Sequence, residues 1–149
     1  MAKLKNDTLD ILSDDNSHNK FIRIHQKVNE IEKFDKVIVS SSGCYGNCPV
    51  SDLEIDSNGN VFYNGSFYSN EVGFFVAKTS NENYYKIEKD FQNADWFNLK
   101  NEYIASHTDD ETISVTFIKN NKIIKTIEDY GQEAPTEFQW AYIPFEIFT

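Results

Sequence analysis

Leu53-Glu54-Ile55-Asp56-Ser57-Asn58-Gly59-Asn60-Val61-Phe62-Tyr63 is the stretch that decides the class of fold. Leu53 and Ile55 alternate with Asp52, Glu54 and Asp56, which is the period of a strand with one buried and one wet face. Asn58-Gly59 then supplies two residues that tolerate positive φ, a strong hairpin signal, and Val61-Phe62-Tyr63 returns. Asn64-Gly65-Ser66 makes the next turn, and Val72 to Lys78 reads as a third strand with Gly73 as a bulge or a close backbone approach. Upstream, Val37-Ile38-Val39 is a strand that runs into Ser40-Ser41-Ser42-Gly43.

Downstream the period lengthens. Ser80 is placed to cap a helix whose Tyr84, Ile87, Phe91 and Ala94 share one face, and Trp96, Phe97 and Leu99 close it against the sheet. A linker over Tyr103 to Glu111 leads to two more strands, Thr112 to Ile118 and Lys122 to Glu128, joined by Lys119-Asn120-Asn121. Pro135 suits the first turn of a last helix carrying Phe138, Tyr142, Phe145 and Phe148, which Pro144 should kink or end. At the other end of the chain, residues 1–19 read as a polar leader with a helical piece at Thr8–Leu12. Phe21, Ile24, Val28, Ile31 and Phe34 have helical spacing, although Phe21-Ile22-Arg23-Ile24 also reads as a strand. The expectation is therefore an α+β fold with a mainly antiparallel sheet of about five strands and two or three helices. Residues 20–149 form its single domain.

The chain has 149 residues and a formal charge of −10, from 24 acidic and 14 basic side chains. That surface repels nucleic acid and anionic membranes, so neither is expected as a partner. No apolar run approaches the roughly 18 residues of a membrane helix. The polar start shows no signal peptide, which points to the cytoplasm.

Ser42-Gly43-Cys44-Tyr45-Gly46-Asn47-Cys48-Pro49-Val50 is the least generic segment and holds both cysteines. Gly43, Tyr45, Gly46 and Pro49 are the turn-forming residues. The simplest reading packs Cys44 and Cys48 against the sheet as small buried thiols. A disulfide, a metal pair completed by His18, His25, His107 or nearby acids, and a reactive thiol stay open beside it.

Cys44-Tyr45-Gly46-Asn47-Cys48-Pro49, followed by Leu53-x-Ile55 and Asn58-Gly59-x-Val61-x-Tyr63-x-Gly65, resembles the signature of a bacterial family known as domain of unknown function 6438. Gly73, Asp95-Trp96-Phe97-x-Leu99, Tyr103 to Asp109, and Asp129-Tyr130 before Ala134-Pro135 extend the likeness over Phe34 to Phe148. Ser51 departs from it, standing where the pattern has an aromatic. The resemblance implies a fold and supplies no reaction. Members of the family often resemble exported lipoproteins.

His107-Thr108-Asp109-Asp110-Glu111 gathers a histidine and three carboxylates, a cation site or acid/base pair on one reading and a plain turn on the other. Glu128-Asp129-Tyr130-Gly131 places a carboxylate beside a tyrosine where a strand leaves the sheet. Asn64-Gly65-Ser66 has the form of a glycosylation acceptor and is read as a turn. No triad or phosphate loop is present. The functional expectation is a non-catalytic acidic binding domain, such as an immunity or inhibitor protein that covers a basic bacterial toxin, with no cofactor and no assigned oligomeric state. Asp52, Glu54 and Asp56, with Asp109, Asp110 and Glu111, are its candidate acidic surface. The alternative is a thiol-based redox or metal-binding module at Cys44 and Cys48.

Overall fold

The computed structural model describes residues 2–5, 8–12, 18–22 and 32–146. Three short strands come first, β1 (Ala2–Lys5), β2 (Thr8–Leu12) and β3 (His18–Ile22), paired antiparallel in that order. The helical piece expected at Thr8–Leu12 is therefore corrected to a strand. Leu9 and Ile11 alternate with Thr8 and Asp10, and five residues are too few to offset the cost of nucleating a helix. Of the helix expected over Phe21 to Phe34, Phe21 lies in β3 opposite Leu9, and Phe34 is a buried residue outside any helix. Ile24, Val28 and Ile31 fall outside the described residues, as does Phe148.

The Asn58-Gly59 turn sits within a second, seven-stranded sheet. Its members are β4 (Lys36–Ser41), β5 (Ser51–Asp56), β6 (Asn60–Gly65), β7 (Gly73–Lys78), β8 (Glu102–Ile104), β9 (Thr112–Lys119) and β10 (Lys122–Tyr130). They lie in the order β7-β6-β5-β4-β9-β10-β8, antiparallel throughout except for the parallel pair β10–β8. The strand count exceeds the expectation because β8 lies inside the supposed linker, where three residues carry no readable alternation, and because three more strands, β1–β3, fall within residues 2–22. Gly59 takes the left-handed φ of 79° that the hairpin turn requires. Gly73 has a φ of 125°, yet the β6–β7 register runs without a shift, so no bulge forms there.

Helix α1 (Asn81–Asn93) starts where expected: the Ser80 side chain accepts a hydrogen bond from the Asn83 amide at 3.2 Å. A single 3-10 turn, Trp96–Asn98, follows. Helix α2 (Thr136–Glu146) carries Pro144 within its last turn. The two helices cover one face of the sheet. Val37, Val39, Leu53, Ile55, Ile113, Val115, Phe117 and Ile127 meet Tyr84, Phe91, Phe138, Ala141, Tyr142 and Phe145 in one buried cluster. Trp96 stacks on Phe117 with ring centres 4.0 Å apart, and Phe34 packs against Tyr84, Phe91, Trp96 and Phe117. Each such ring contributes roughly 2–3 kcal/mol of burial, before the roughly 1 kcal/mol of aromatic pairing.

Asp129 lies in this core at 1% exposure, and the strand-end reading of Glu128-Asp129-Tyr130-Gly131 resolves around it. Its Oδ1 accepts the amides of Glu133 (2.7 Å) and Ala134 (2.9 Å), and its Oδ2 accepts the Tyr142 hydroxyl at 2.9 Å. The carboxylate thus ties the end of β10 to the residues that lead into α2 and to the middle of that helix. Replacing it strands buried donors, so Asp129→Ala is expected to cost about 3 kcal/mol in urea unfolding and Tyr142→Phe about 1 kcal/mol. A loss under about 1 kcal/mol for Asp129→Ala would contradict this tie.

Candidate binding surface

The turn after β4 protrudes from one end of the sheet. Ser41 and Ser42 seat its base: Ser41 Oγ donates to the Pro49 carbonyl at 2.8 Å and accepts from the Ser51 amide at 3.1 Å. The Ser42 amide donates to the Thr112 carbonyl, and the Thr112 amide donates back to Ser42 Oγ. Beyond that base Tyr45 is 90% exposed, with Gly46 and Asn47 exposed beside it.

Cys44 and Cys48 form a disulfide, with Cα atoms 5.5 Å apart. The expectation of two buried thiols is thereby corrected. The tip stands clear of the core, and a separation of four residues brings the Cα atoms into the range a disulfide spans. No free cysteine remains to act as a reactive thiol. Metal binding by the pair is corrected as well, because bonded sulfurs offer no thiolate. Among the described residues no group of three or more His, Cys, Asp or Glu side chains is placed to hold a metal ion. Gly43 and Gly46 do not take left-handed φ values, and a Cβ at either would meet only ordinary contacts. The turn therefore rests on its disulfide and its serine base.

Asp52, Glu54 and Asp56 share the face of the sheet that the helices leave open, as their alternation implies. Cross-strand rows run Phe74–Asn64–Asp52–Ser40–Ser114 and Val76–Phe62–Glu54–Ile38–Thr116. The three acids are not equivalent. Asp52 is exposed and accepts Ser40 Oγ at 2.6 Å; Glu54 pairs with Lys36. Asp56 clamps the hairpin, accepting the amides of Asn58 and Asn60 and the Asn60 side chain at 2.8–2.9 Å. Burial would raise its carboxyl, but the Asn60 and Asn58 bonds and Lys36 outweigh that and hold it below the ordinary value.

The other acidic group lies near the disulfide turn, since Thr112 is bonded to Ser42. Asp109 is exposed with a φ of 73°. The His107 ring, 3.0 Å away, and the Glu111 amide hold the Asp110 carboxyl low; burial, with Asp110 beside it, pushes Glu111 up. Asp56 sits at the opposite end of β5 from the disulfide turn, whereas Asp52 lies at the same end, in the cross-strand row of Ser40 and Ser114.

Sequence reading missed an aromatic surface. Phe67, Tyr68, Val72, Phe74 and Val76 are each more than 60% exposed, and Phe62 stacks beneath Phe74. The loop that carries the first of them is pinned at Val50, whose amide donates to the Phe67 carbonyl and whose carbonyl accepts the Ser66 amide and Ser69 Oγ. Gly65 admits this loop, because a Cβ there would collide with the Glu71 carbonyl. The unbroken apolar run Phe74-Phe75-Val76-Ala77 was the available signal. It reads as a strand covered on both faces, whereas β7 is an edge.

The family model described as "Domain of unknown function (DUF6438)" matches residues 35–148. No curated protein matches the chain.

The disulfide closes so short a loop that the Cys44→Ser/Cys48→Ser variant is expected to lose at most about 2 kcal/mol and keep its fold, as read by chemical denaturation. The Asp56 clamp contributes fully above the unfolded carboxylate value of about 4 and is lost as pH falls through the lower folded value. Asp56→Asn is accordingly expected to flatten the fall of stability on acidification, measured by urea unfolding in steps from pH 5 to 3.

Proposed function

The chain belongs to the family described as domain of unknown function 6438, and from that premise we propose that it is a non-catalytic binding domain whose acidic, aromatic surface covers a basic protein partner. One observation carries the reading: the exposed stretch from Phe67 to Val76 adjoins the open sheet face that bears Asp52 and Glu54. Exposed aromatic side chains anchor protein interfaces because they bury much area for few rotatable bonds. A net charge of −10 draws in a basic partner and speeds its encounter. An immunity or inhibitor protein directed at a basic bacterial toxin is the form of this reading that the charge favours.

No helix among the described residues is long and apolar enough to cross a membrane. The Cys44–Cys48 bond suits an oxidising compartment better than the reducing cytosol, so the proposal is of a domain that acts outside the cytoplasm. That same bond, in an exposed turn, supports a second reading as a thiol–disulfide module. The two separate cleanly: Cys44→Ser/Cys48→Ser abolishes thiol exchange on the second reading and leaves partner binding intact on the first.

The test is affinity capture from the native host followed by kinetics. A basic protein is expected, bound about thirtyfold more weakly, or about 2 kcal/mol, by Phe74→Ala. Its association rate should fall roughly tenfold between low and physiological salt. Capture that yields an acidic protein, or binding untouched by both Phe74→Ala and Asp52→Lys, would remove the proposal.

A further inference from the structure

The two edges of the seven-stranded sheet are finished differently. β8 is three residues long and carries a carboxylate at Glu102, both ordinary ways of blunting an edge. β7 is six residues long, and its inner side is taken by β6 from Gly73 opposite Gly65 to Lys78 opposite Asn60. Among the described residues no strand pairs with its outer side. Its backbone groups on that side have no ladder partner, as on any open edge. The strand contains no proline, its register has no bulge, and its one charge is Lys78 at the very end. Among the described residues none of the usual devices against strand addition is present over Phe74 to Ala77.

The occupant follows from the edge. A row of outward backbone donors and acceptors is matched by an extended chain, whose main chain supplies affinity and whose alternate side chains supply specificity. Phe74 and Val76 project on the open face, with Phe62 stacked under Phe74; Phe75 projects on the other face beside Tyr63. Apolar side chains of an added strand therefore find contacts on either face. Charge selects among chains. A second copy brings another −10, whereas a basic segment approaches a surface whose exposed Asp52 lies in the same cross-strand row as Phe74.

We infer that β7 is a docking edge that takes an extended, basic and apolar segment of the partner as an additional strand of the sheet. The inference rests on the binding reading above and specifies how the partner is held. The test is selection of a random nine-residue peptide library, displayed on phage, against the immobilised full chain. Enriched peptides are expected to combine Lys or Arg with alternating apolar residues and to lack proline at their centre. Synthesised with every second backbone nitrogen methylated, such a peptide should weaken at least tenfold in one register and stay nearly unchanged in the other. Amides within Gly73–Lys78 should gain protection from hydrogen exchange, and Phe74→Lys/Val76→Lys should lose binding while keeping the wild-type circular dichroism.

Three results would overturn the inference. Basic peptides that tolerate methylation in both registers yet lose binding with Asp52→Lys would leave the binding reading standing and remove the added strand. Acidic or proline-rich winners, or no enrichment at all, would remove it too. A dimer in sedimentation with the β7 amides already protected would assign the edge to a second copy.

Discussion

The structure turns on a mismatch of widths. Two helices side by side, each about 10–12 Å across, cover roughly 20–24 Å, whereas seven strands spaced by about 4.8 Å span roughly 29 Å. Helix α1, of 13 residues, and α2, of 11, spend their apolar faces on the middle of the sheet. Phe91 and Phe138 meet there above Val37, Val115 and Phe117. The strands at the margin are left over. At one margin the chain stops short with β8; at the other it extends β7 and clothes it in phenylalanine and valine. The proposed surface is thus a consequence of how little of the sheet the two described helices cover.

Two polar devices keep that arrangement in register. Asp129 holds α2 to the end of β10 from inside the core, and Asp56 holds the β5–β6 turn from outside it. Their burial explains their different weights. A carboxylate at 1% exposure must have all its partners, while a solvated one competes with water for each bond. The Cys44–Cys48 bond is a third tie, local to one turn, and it leaves Tyr45 projecting from the sheet end like the aromatics of the neighbouring loop.

Much of the fold is legible in the sequence. Asn58-Gly59 between alternating strands, Ser80 ahead of α1 and Pro135 ahead of α2 each carry their structural meaning within a few residues, because turn and cap chemistry is local. β8 could not be read, since a three-residue strand exists only through its partner β10. Thr8–Leu12 misled by its length. The alternation that placed Asp52, Glu54 and Asp56 on one face was sound, but it could not say that Lys36 neutralises one and the Asn58–Asn60 turn consumes another.

By itself the sequence determined the α+β class, the hairpin at Gly59, the wet face of β5, the charge of −10 and the closeness of two cysteines in one turn. These depend on residue type and short spacing. Tertiary structure alone decided that the cysteines are joined, that Asp129 is a buried tie, and that Phe74-Phe75-Val76 lies at an edge. An apolar run has the same sequence whether neighbours cover it or not. Which strands end a sheet is settled by pairing between segments far apart in the chain, and by how far the helices reach across it.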